Sequence, residues 1–241
     1  MLIKTKGIVL KNLKYSDSRI IAHVLTPDYG KIPLMVRKNK TKKSNGKSGY
    51  FQPLHLLDIE FSFKESRNFQ HLTDVHLAEH TMHITSNYHK QNISIFLADV
   101  MNRCIKEMEP DDNLFQYIWH AILMFENIEQ GGVNFHLYFL THLMKYLGFE
   151  PGNKWNNQNR YLDMDSGLFV SEANLNASCL SVRESKIIHH FLHFSASNIP
   201  GNGISNQDRK LGLEAIINYF DHHVPGFGKL KSYEVLKSLY N

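Results

Sequence analysis

The chain has 241 residues, of which 42% are hydrophobic and 21% are charged, and its net charge is +4. This length allows one large domain or two small ones with a buried core, and the composition excludes a disordered tail. No run of about 18 apolar residues occurs, and the N-terminus lacks the apolar segment of a signal peptide, so we expect a cytoplasmic protein that does not cross a membrane.

The positive charge is concentrated near the N-terminus. Residues 1–79 hold 14 lysines and arginines against 7 acidic residues, whereas residues 80–241 hold 13 against 16. A basic N-terminal module joined to a mildly acidic remainder predicts that one part of the chain touches nucleic acid or another anionic surface, while the other part has a different role.

The first 80 residues have the pattern of β-strands. Five segments alternate apolar and polar residues or are rich in strand formers, at about 3–14, 19–26, 31–36, 54–63 and 69–77. Turn sequences separate them. Five short strands with a long loop between the third and the fourth predict a closed barrel of the oligonucleotide-binding (OB) type, with a five-stranded barrel of the SH3 kind as the nearest alternative.

The long loop is strongly basic. From Arg37 to Lys47 the chain has six cations in eleven residues, with no acidic and no apolar side chain. Such a segment cannot form core, because it has nothing to bury and its charges repel one another. Two interpretations stay open, namely a solvated loop that favours solubility and a set of ammonium groups that meets a phosphate backbone.

After residue 80 the apolar period changes to that of helices. Helices are predicted to end near residue 107 and near Gly131-Gly132, and others to cover about 135–146, 183–194, 205–222 and 232–240. Between them, 161–163 and 168–170 flank a turn at Asp165-Ser166-Gly167 and predict a small β-hairpin. We therefore predict an α+β chain, with an OB barrel at 1–79 and a helical domain at 80–241 that carries a hairpin insertion at about 152–174.

Sequence motifs for catalysis or metal binding do not occur. The 15 histidines lack the spacing of metal ligands, and neither Cys-x-x-Cys nor His-Glu-x-x-His is found. The nucleophile elbow, the Walker loop and Gly-x-Gly-x-x-Gly are also missing. We predict a protein that is not an enzyme and has no metal or other cofactor.

Aromatic side chains of the barrel are candidates for stacking on bases. Tyr15, Tyr29, Tyr50 and Phe51 are considered, and core packing is the alternative for each. Tyr29 lies in a turn and Tyr50 flanks the basic loop, so these two are the better candidates.

Several short strings stand in a characteristic order along the chain. They are Gly7-Ile8-Val9-Leu10, Leu25-Thr26-Pro27-Asp28-Tyr29-Gly30-Lys31, Phe51-Gln52-Pro53-Leu54 and Val224-Pro225-Gly226-Phe227-Gly228, followed by Leu230-Lys231-Ser232. In this order, and over nearly the whole chain, they resemble the RecO family of bacterial DNA repair and recombination mediators.

The resemblance implies an OB domain followed by a helical domain, and binding of single- and double-stranded DNA with annealing of complementary strands. It also implies help in loading the recombinase onto strands coated by single-strand-binding protein. The implied partners are RecR and the acidic C-terminal tail of single-strand-binding protein, and the implied place is the nucleoid. Lys229 and Lys231 are candidates for the rim of a partner-binding groove, with ordinary solvated lysines as the alternative.

One family feature is missing from the sequence. Many members carry a four-cysteine zinc site after a helix that ends in Leu-Gly-x-x-Pro. Here Leu147-Gly148-Phe149-Glu150-Pro151 matches, but residues 153–170 contain no cysteine. We therefore expect a hairpin without zinc, held by the packing of Trp155, Tyr161 and Phe169.

The charge pattern and the aromatic residues together give the candidate DNA contacts, which would bind phosphates without distinguishing sequences. They are Lys6, Lys11, Tyr29, Lys31, Arg37, Lys38, Lys40, Lys42, Lys43, Lys47 and Tyr50. Two other classes stay open, namely an RNA-binding OB protein and a scaffold whose basic loop binds an acidic protein.

Reversing the charge of Lys40, Lys42 and Lys43 tests the loop directly. With about 4–6 phosphates neutralised, the slope of log affinity against log salt for single strands is roughly −3 to −4. The triple glutamate variant should bind all sequences more weakly and have a shallower slope in an anisotropy titration. An unchanged affinity and slope would reject the loop as a binding element.

Overall fold

Alternating apolar residues fold the N-terminal part of the chain into a five-stranded barrel. The structure is a computed structural model that describes residues 1–38, 47–129, 132–152, 154–173, 178–195, 199 and 204–238. The strands are β1 (Leu2–Ser16), β2 (Arg19–Thr26), β3 (Gly30–Arg37), β4 (Leu56–Ser62) and β5 (Gln70–Leu77). They close in the order β1-β2-β3-β5-β4, which confirms the predicted OB-type barrel, with strand ends within a residue or two of those expected.

One long strand organises the barrel. The first half of β1 pairs with β4, from Leu2 opposite Ser62 to Ile8 opposite Leu56, and the second half pairs with β2 as far as Ser16 opposite Arg19. Every second residue of the strands points inward, and each large apolar side chain buried there contributes about 1.5–3 kcal/mol. The core consists of Ile3, Val9, Ile20, Ala22, Val24, Ile32, Leu34, Val36, Phe51, Leu57, Ile59, Phe61 and Val75.

A parallel contact between β3 and β5 closes the barrel. It consists of two residue pairs, Leu34 opposite Gln70 and Met35 opposite His71. The neighbouring β4–β5 ladder shifts register between Glu60 and Phe61, which leaves Thr73 as the extra residue of a bulge. Among the described residues, the pairing between β3 and β5 therefore has a gap where the two strands continue beyond these two pairs.

Three helices belong to the same compact unit as the barrel, which comprises Met1–Asn127. They are α1 (Met82–Ser86), α2 (Tyr88–Cys104) and α3 (Asp112–Asn127). Sequence patterns did not predict α1, because its N-terminal amide groups are satisfied from a distant helix: the carboxylate of Glu126 accepts hydrogen bonds from His83 N at 2.7 Å and Ile84 N at 2.9 Å.

The second unit, Ile128–Asn241, contains the remaining helices and the hairpin. They are α4 (Phe135–Tyr146), β6 (Tyr161–Asp163), β7 (Leu168–Val170), α5 (Val182–Leu192), α6 (Asn206–His223) and α7 (Lys231–Ser238). Ser205 caps α6, since its side chain accepts a hydrogen bond from Asp208 N. Parts of two predicted helix ends, Gly131 and residues 239–240, lie outside the described residues.

The predicted hairpin is present and packs through aromatic rings. Phe169 is buried, and the indole N–H of Trp155 donates to Arg160 O at 3.2 Å while its ring lies 6.2 Å from that of His189. Tyr161 is half-buried and pairs with Val170 across the ladder. Among the described residues, no group of three or more His, Cys, Asp or Glu side chains is arranged to hold a metal ion.

The domain boundary at residue 79 stays a prediction. The change from strand to helix falls there, after β5 ends at Leu77, whereas the two compact units meet after Asn127. In the described part of the chain, no helix is both long and apolar enough to cross a membrane.

Replacing Gly30 by alanine should destabilise the first unit, because Gly30 has φ +62° and an added Cβ would lie 2.5 Å from the carbonyl oxygen of Glu109. We expect the free energy of unfolding to fall by about 2 kcal/mol or more, measured by urea denaturation. Gly49→Ala is the matched control, since no described atom lies within 4 Å of its added Cβ and stability should be unchanged or slightly higher. Equal losses in the two variants would contradict this account of the β2–β3 turn.

Candidate nucleic-acid interface

A basic cleft opens where the pairing of β3 and β5 ends. Beyond Met35 and His71 no further β3–β5 pair forms in the described part of the chain, and a cavity of about 450 Å³ lies there. Its lining combines three cations and a histidine with apolar residues and a threonine: Arg19, Arg37, Lys47, His71, Met35, Val36, Leu72 and Thr73. A concave surface with this lining is suited to an anionic ligand.

Two arginines face each other across the β2–β3 ladder at this cleft. Arg19 lies directly opposite Arg37, and both are exposed because their neighbours Ile20 and Val36 are buried in the core. Like charges in opposite positions of antiparallel strands repel and destabilise the pairing. Within the described residues neither guanidinium forms an ion pair, so the repulsion is not relieved by an acidic side chain. The arrangement leaves two positive charges available to an external anion.

Lys47 is held against the opposite wall of the cleft. It begins a short 3-10 helix, Lys47–Tyr50, and its ammonium group lies 2.8 Å from both Asp74 Oδ1 and the carbonyl oxygen of Thr73, the bulged residue of β5. The hydrogen bond from Lys47 is the main cause that lowers the pKa of Asp74 to about 2. This ion pair fixes the last residue of the basic loop to β5 and offsets one of the three cations.

The end of β1, next to its turn into β2, contributes an exposed aromatic ring. Lys38 N donates to Ser18 O at 2.8 Å, which ties the end of β3 to that turn. Tyr15 is 57% exposed, and its ring centroid lies 6.0 Å from that of Phe69, which directly precedes β5. A partly exposed aromatic pair beside cations is the combination that binds unpaired bases by stacking.

Lys31 does not belong to this surface, contrary to the sequence-based expectation. It is 6% exposed, and its ammonium group donates to Asn102 O at 2.7 Å, while Met108 N donates to Lys31 O. Burial lowers the pKa of Lys31, although Glu107 acts in the opposite direction. The β2–β3 turn packs against the segment between α2 and α3, and this tertiary contact removes Lys31 from solvent.

The two aromatic residues favoured by the sequence are engaged in packing. Tyr29 lies 5.8 Å from Phe61 and 5.0 Å from Phe63 between ring centroids, and Tyr50 is half-buried against the barrel core. Their burial favours the core-packing alternative for both. Tyr15 offers a more exposed ring than either.

The other candidate residues lie apart from the cleft or outside the described residues. Lys6 is exposed on β1 with its ammonium group 4.6 Å from the ring centroid of Trp119, and Lys11 is half-exposed opposite His23. Lys229 and Lys231 are exposed in the second unit, where α7 begins. The side chains of Lys40, Lys42 and Lys43 fall in residues 39–46, which the structure does not describe.

Arg19 and His71 were missed by the sequence analysis. The register of the β2–β3 hairpin, which starts with Thr26 opposite Gly30, would have placed Arg19 opposite Arg37, so a usable signal existed for that pair. His71 reaches the cleft only through the parallel β3–β5 contact between strands distant in sequence. Local patterns carry no information about that contact.

A closed OB-type barrel with a basic cleft, followed in sequence by helices and a small hairpin, defines an α+β protein of the OB-barrel class. Residues 1–80 match the family model described as recombination protein O N terminal, and residues 86–234 match the one described as recombination protein O C terminal. The chain therefore belongs to the RecO family of DNA repair proteins.

Full-length relatives agree with the family models. The chain is 32% identical over 241 residues to the DNA repair protein RecO of Azobacteroides pseudotrichonymphae genomovar. CFP2. It is 32% identical over 242 residues to that of Flavobacterium psychrophilum and 31% identical over 242 residues to that of Bacteroides fragilis. In each comparison 100% of both chains is covered.

Proposed function

We propose that this RecO-family chain is a recombination mediator that binds single- and double-stranded DNA without sequence preference, anneals complementary strands and helps load the recombinase onto strands coated by single-strand-binding protein. The observation that carries the proposal is the opposed pair Arg19 and Arg37, whose charges no described acidic residue balances, on the barrel of a DNA repair family. The proposal includes no catalytic step, since no bond is made or broken.

Binding follows from phosphate neutralisation. Arg19, Arg37 and Lys38 lie together at the end of the β2–β3 hairpin, and the lysines of residues 40–43 follow directly in the sequence. Contacts of this kind position a strand without distinguishing its bases, and each one releases counterions, so the affinity falls steeply with salt. The exposed ring of Tyr15, beside the half-buried Phe69, adds a surface on which an unpaired base can stack.

Annealing follows from the same charges. Two complementary strands repel each other through their phosphates, and a protein surface that neutralises several of them lowers the cost of bringing the strands together. The basic loop is joined to the basic cleft at both ends, because its first residue, Arg37, and its last residue, Lys47, line the cleft. A single molecule can thereby hold one strand while its loop attracts a second.

The proposed partners come from the family resemblance. They are RecR and the acidic tail of single-strand-binding protein, with the recombinase as an indirect partner and the nucleoid as the place of action. Lys229 and Lys231, at the start of α7, are proposed as basic positions of the surface that receives the acidic tail.

Strand annealing measured with and without single-strand-binding protein tests the proposal. Arg19→Glu with Arg37→Glu should slow annealing about tenfold and make the salt slope for single strands shallower by about 1.4, the value for two lost contacts. Lys106→Glu is the control, compared with Arg19→Glu and with Arg37→Glu singly, so that each variant reverses one charge. Lys106 is exposed and pairs with Glu109, near the other end of the β2–β3 hairpin.

Equal effects of Lys106→Glu and of the single arginine reversals would contradict the proposed surface. Absence of annealing by the wild-type chain, with and without single-strand-binding protein, would reject the mediator function. A stronger affinity for RNA than for DNA of the same sequence would favour an RNA-binding protein instead. Binding of neither nucleic acid at low salt would favour a scaffold for an acidic protein.

A further inference from the structure

The cleft between β3 and β5 is larger than a contact to a passing phosphate requires. Its volume of about 450 Å³ falls in the range of pockets that enclose small ligands, about 300–1,000 Å³. Four segments line it, namely the start of β2 at Arg19, β3, β5 and the 3-10 helix at Lys47. We infer that this cleft binds a terminal phosphomonoester, the end of a DNA strand or a free nucleotide, with the phosphate between Arg19 and Arg37 and the attached nucleoside against Met35 and Leu72.

The charge of the cleft matches a monoester better than an internal phosphodiester. Arg19 and Arg37 together carry two positive charges without a described acidic partner, whereas Lys47 is already paired with Asp74. A phosphomonoester carries about −1.5 to −2 at neutral pH, while a diester carries a single negative charge. One terminal phosphate can therefore neutralise both guanidinium groups, and an internal phosphate would leave the two arginines with a net positive charge.

The geometry of the arginine pair suits a tetrahedral oxyanion. The two residues are directly opposite in an antiparallel ladder, which places their Cβ atoms about 4.5–5.5 Å apart on the same face. Guanidinium groups bind phosphate with two parallel N–H donors each, so a pair at this spacing can contact several oxygens of one phosphate. Because both arginines lie in paired strands, their Cα and Cβ atoms are already fixed, which reduces the conformational entropy lost on binding.

The remaining lining provides for the nucleoside. Met35 and Arg37 are two residues apart on β3 and therefore on the same face of the strand, and Leu72 is half-buried on the facing strand. These apolar side chains offer a surface for a base, while His71 and Thr73 add polar groups beside it. The contacts of Lys47 with Thr73 O and Asp74 hold the 3-10 helix against β5 before a ligand binds.

The inference rests on the proposed function, and strand ends of defined chemistry test it. Short oligonucleotides of one sequence, ending in a 5′-phosphate, a 3′-phosphate, a hydroxyl group or a 5′-phosphate blocked as its methyl diester, are compared by competition anisotropy with the full chain. A terminal phosphate should raise the affinity about tenfold over hydroxyl, since charge-assisted hydrogen bonds are gained, and the methyl ester should lose most of this gain. The 5′ and 3′ arms show which strand end is bound.

Three single variants assign the preference to the cleft. Arg19→Gln and Arg37→Gln should each abolish the preference for the phosphorylated end and weaken binding to the hydroxyl-ended strand by the loss of one phosphate contact. Cooperative urea unfolding of each variant shows that it is folded. Arg67→Gln is the matched control, because it removes one exposed charge from the β4–β5 connection without touching the cleft lining. This control should weaken all strands alike and keep the preference.

Equal affinities of the wild-type chain for phosphate and hydroxyl ends would overturn the inference and leave the proposed function intact. If no oligonucleotide binds, the proposed function fails, and titration calorimetry with a nucleoside monophosphate and the corresponding nucleoside decides the inference separately. Binding of the monophosphate but not of the nucleoside supports a nucleotide site, and binding of neither overturns it. A preference that persists in Arg19→Gln and Arg37→Gln would place the site elsewhere.

Discussion

Closure of the barrel through two residue pairs is the constraint on which the rest of the first unit depends. A five-stranded sheet must join its last two free edges to leave no edge exposed, and here β3 and β5 meet only at Leu34–Gln70 and Met35–His71. Beyond them the strands separate, and the bulge at Thr73 bends β5 away from the regular ladder. The same few pairs that complete the core thus create a cleft on its surface, so the closure of the barrel and the shape of the cleft arise from one local feature of the topology.

The like charges of the two arginines at the cleft destabilise the β2–β3 ladder to which they belong. Arg19 opposite Arg37 is an unfavourable cross-strand pair, and an acidic neighbour could have balanced its charge, as Asp74 balances that of Lys47. An anion bound next to the two arginines would relieve their repulsion. The stability that the free protein loses through this repulsion would then add to the free energy of binding. In the β1–β4 ladder, by contrast, the cations stand opposite acidic residues, Lys4 opposite Glu60 and Lys6 opposite Asp58.

Sequence patterns predicted the elements well and their contacts poorly. The period-two alternation of Ile20, Ala22 and Val24 is a property of neighbouring residues, so β2 was predicted with its actual bounds. The burial of Lys31 depends on Asn102, and the short helix α1 depends on Glu126; both partners are distant in sequence and leave no local pattern. The basic loop was visible as a charge run, whereas the cleft beside it needed the pairing of β3 with β5. The hairpin register alone would have identified Arg19, because strand pairing counts from the turn.

Backbone amide hydrogen exchange, measured with and without single-stranded DNA, tests the central claim most directly. The residues of β3 and β5 beyond their two pairs, 36–37 and 72–73, line the cleft and have no β3–β5 partner, so a bound ligand can change their exchange. The account predicts that DNA slows exchange at these residues, with little change in the β1–β4 ladder around Lys4 and Glu60. Slower exchange confined to that ladder or to the second unit, with 36–37 and 72–73 unaffected, would contradict it.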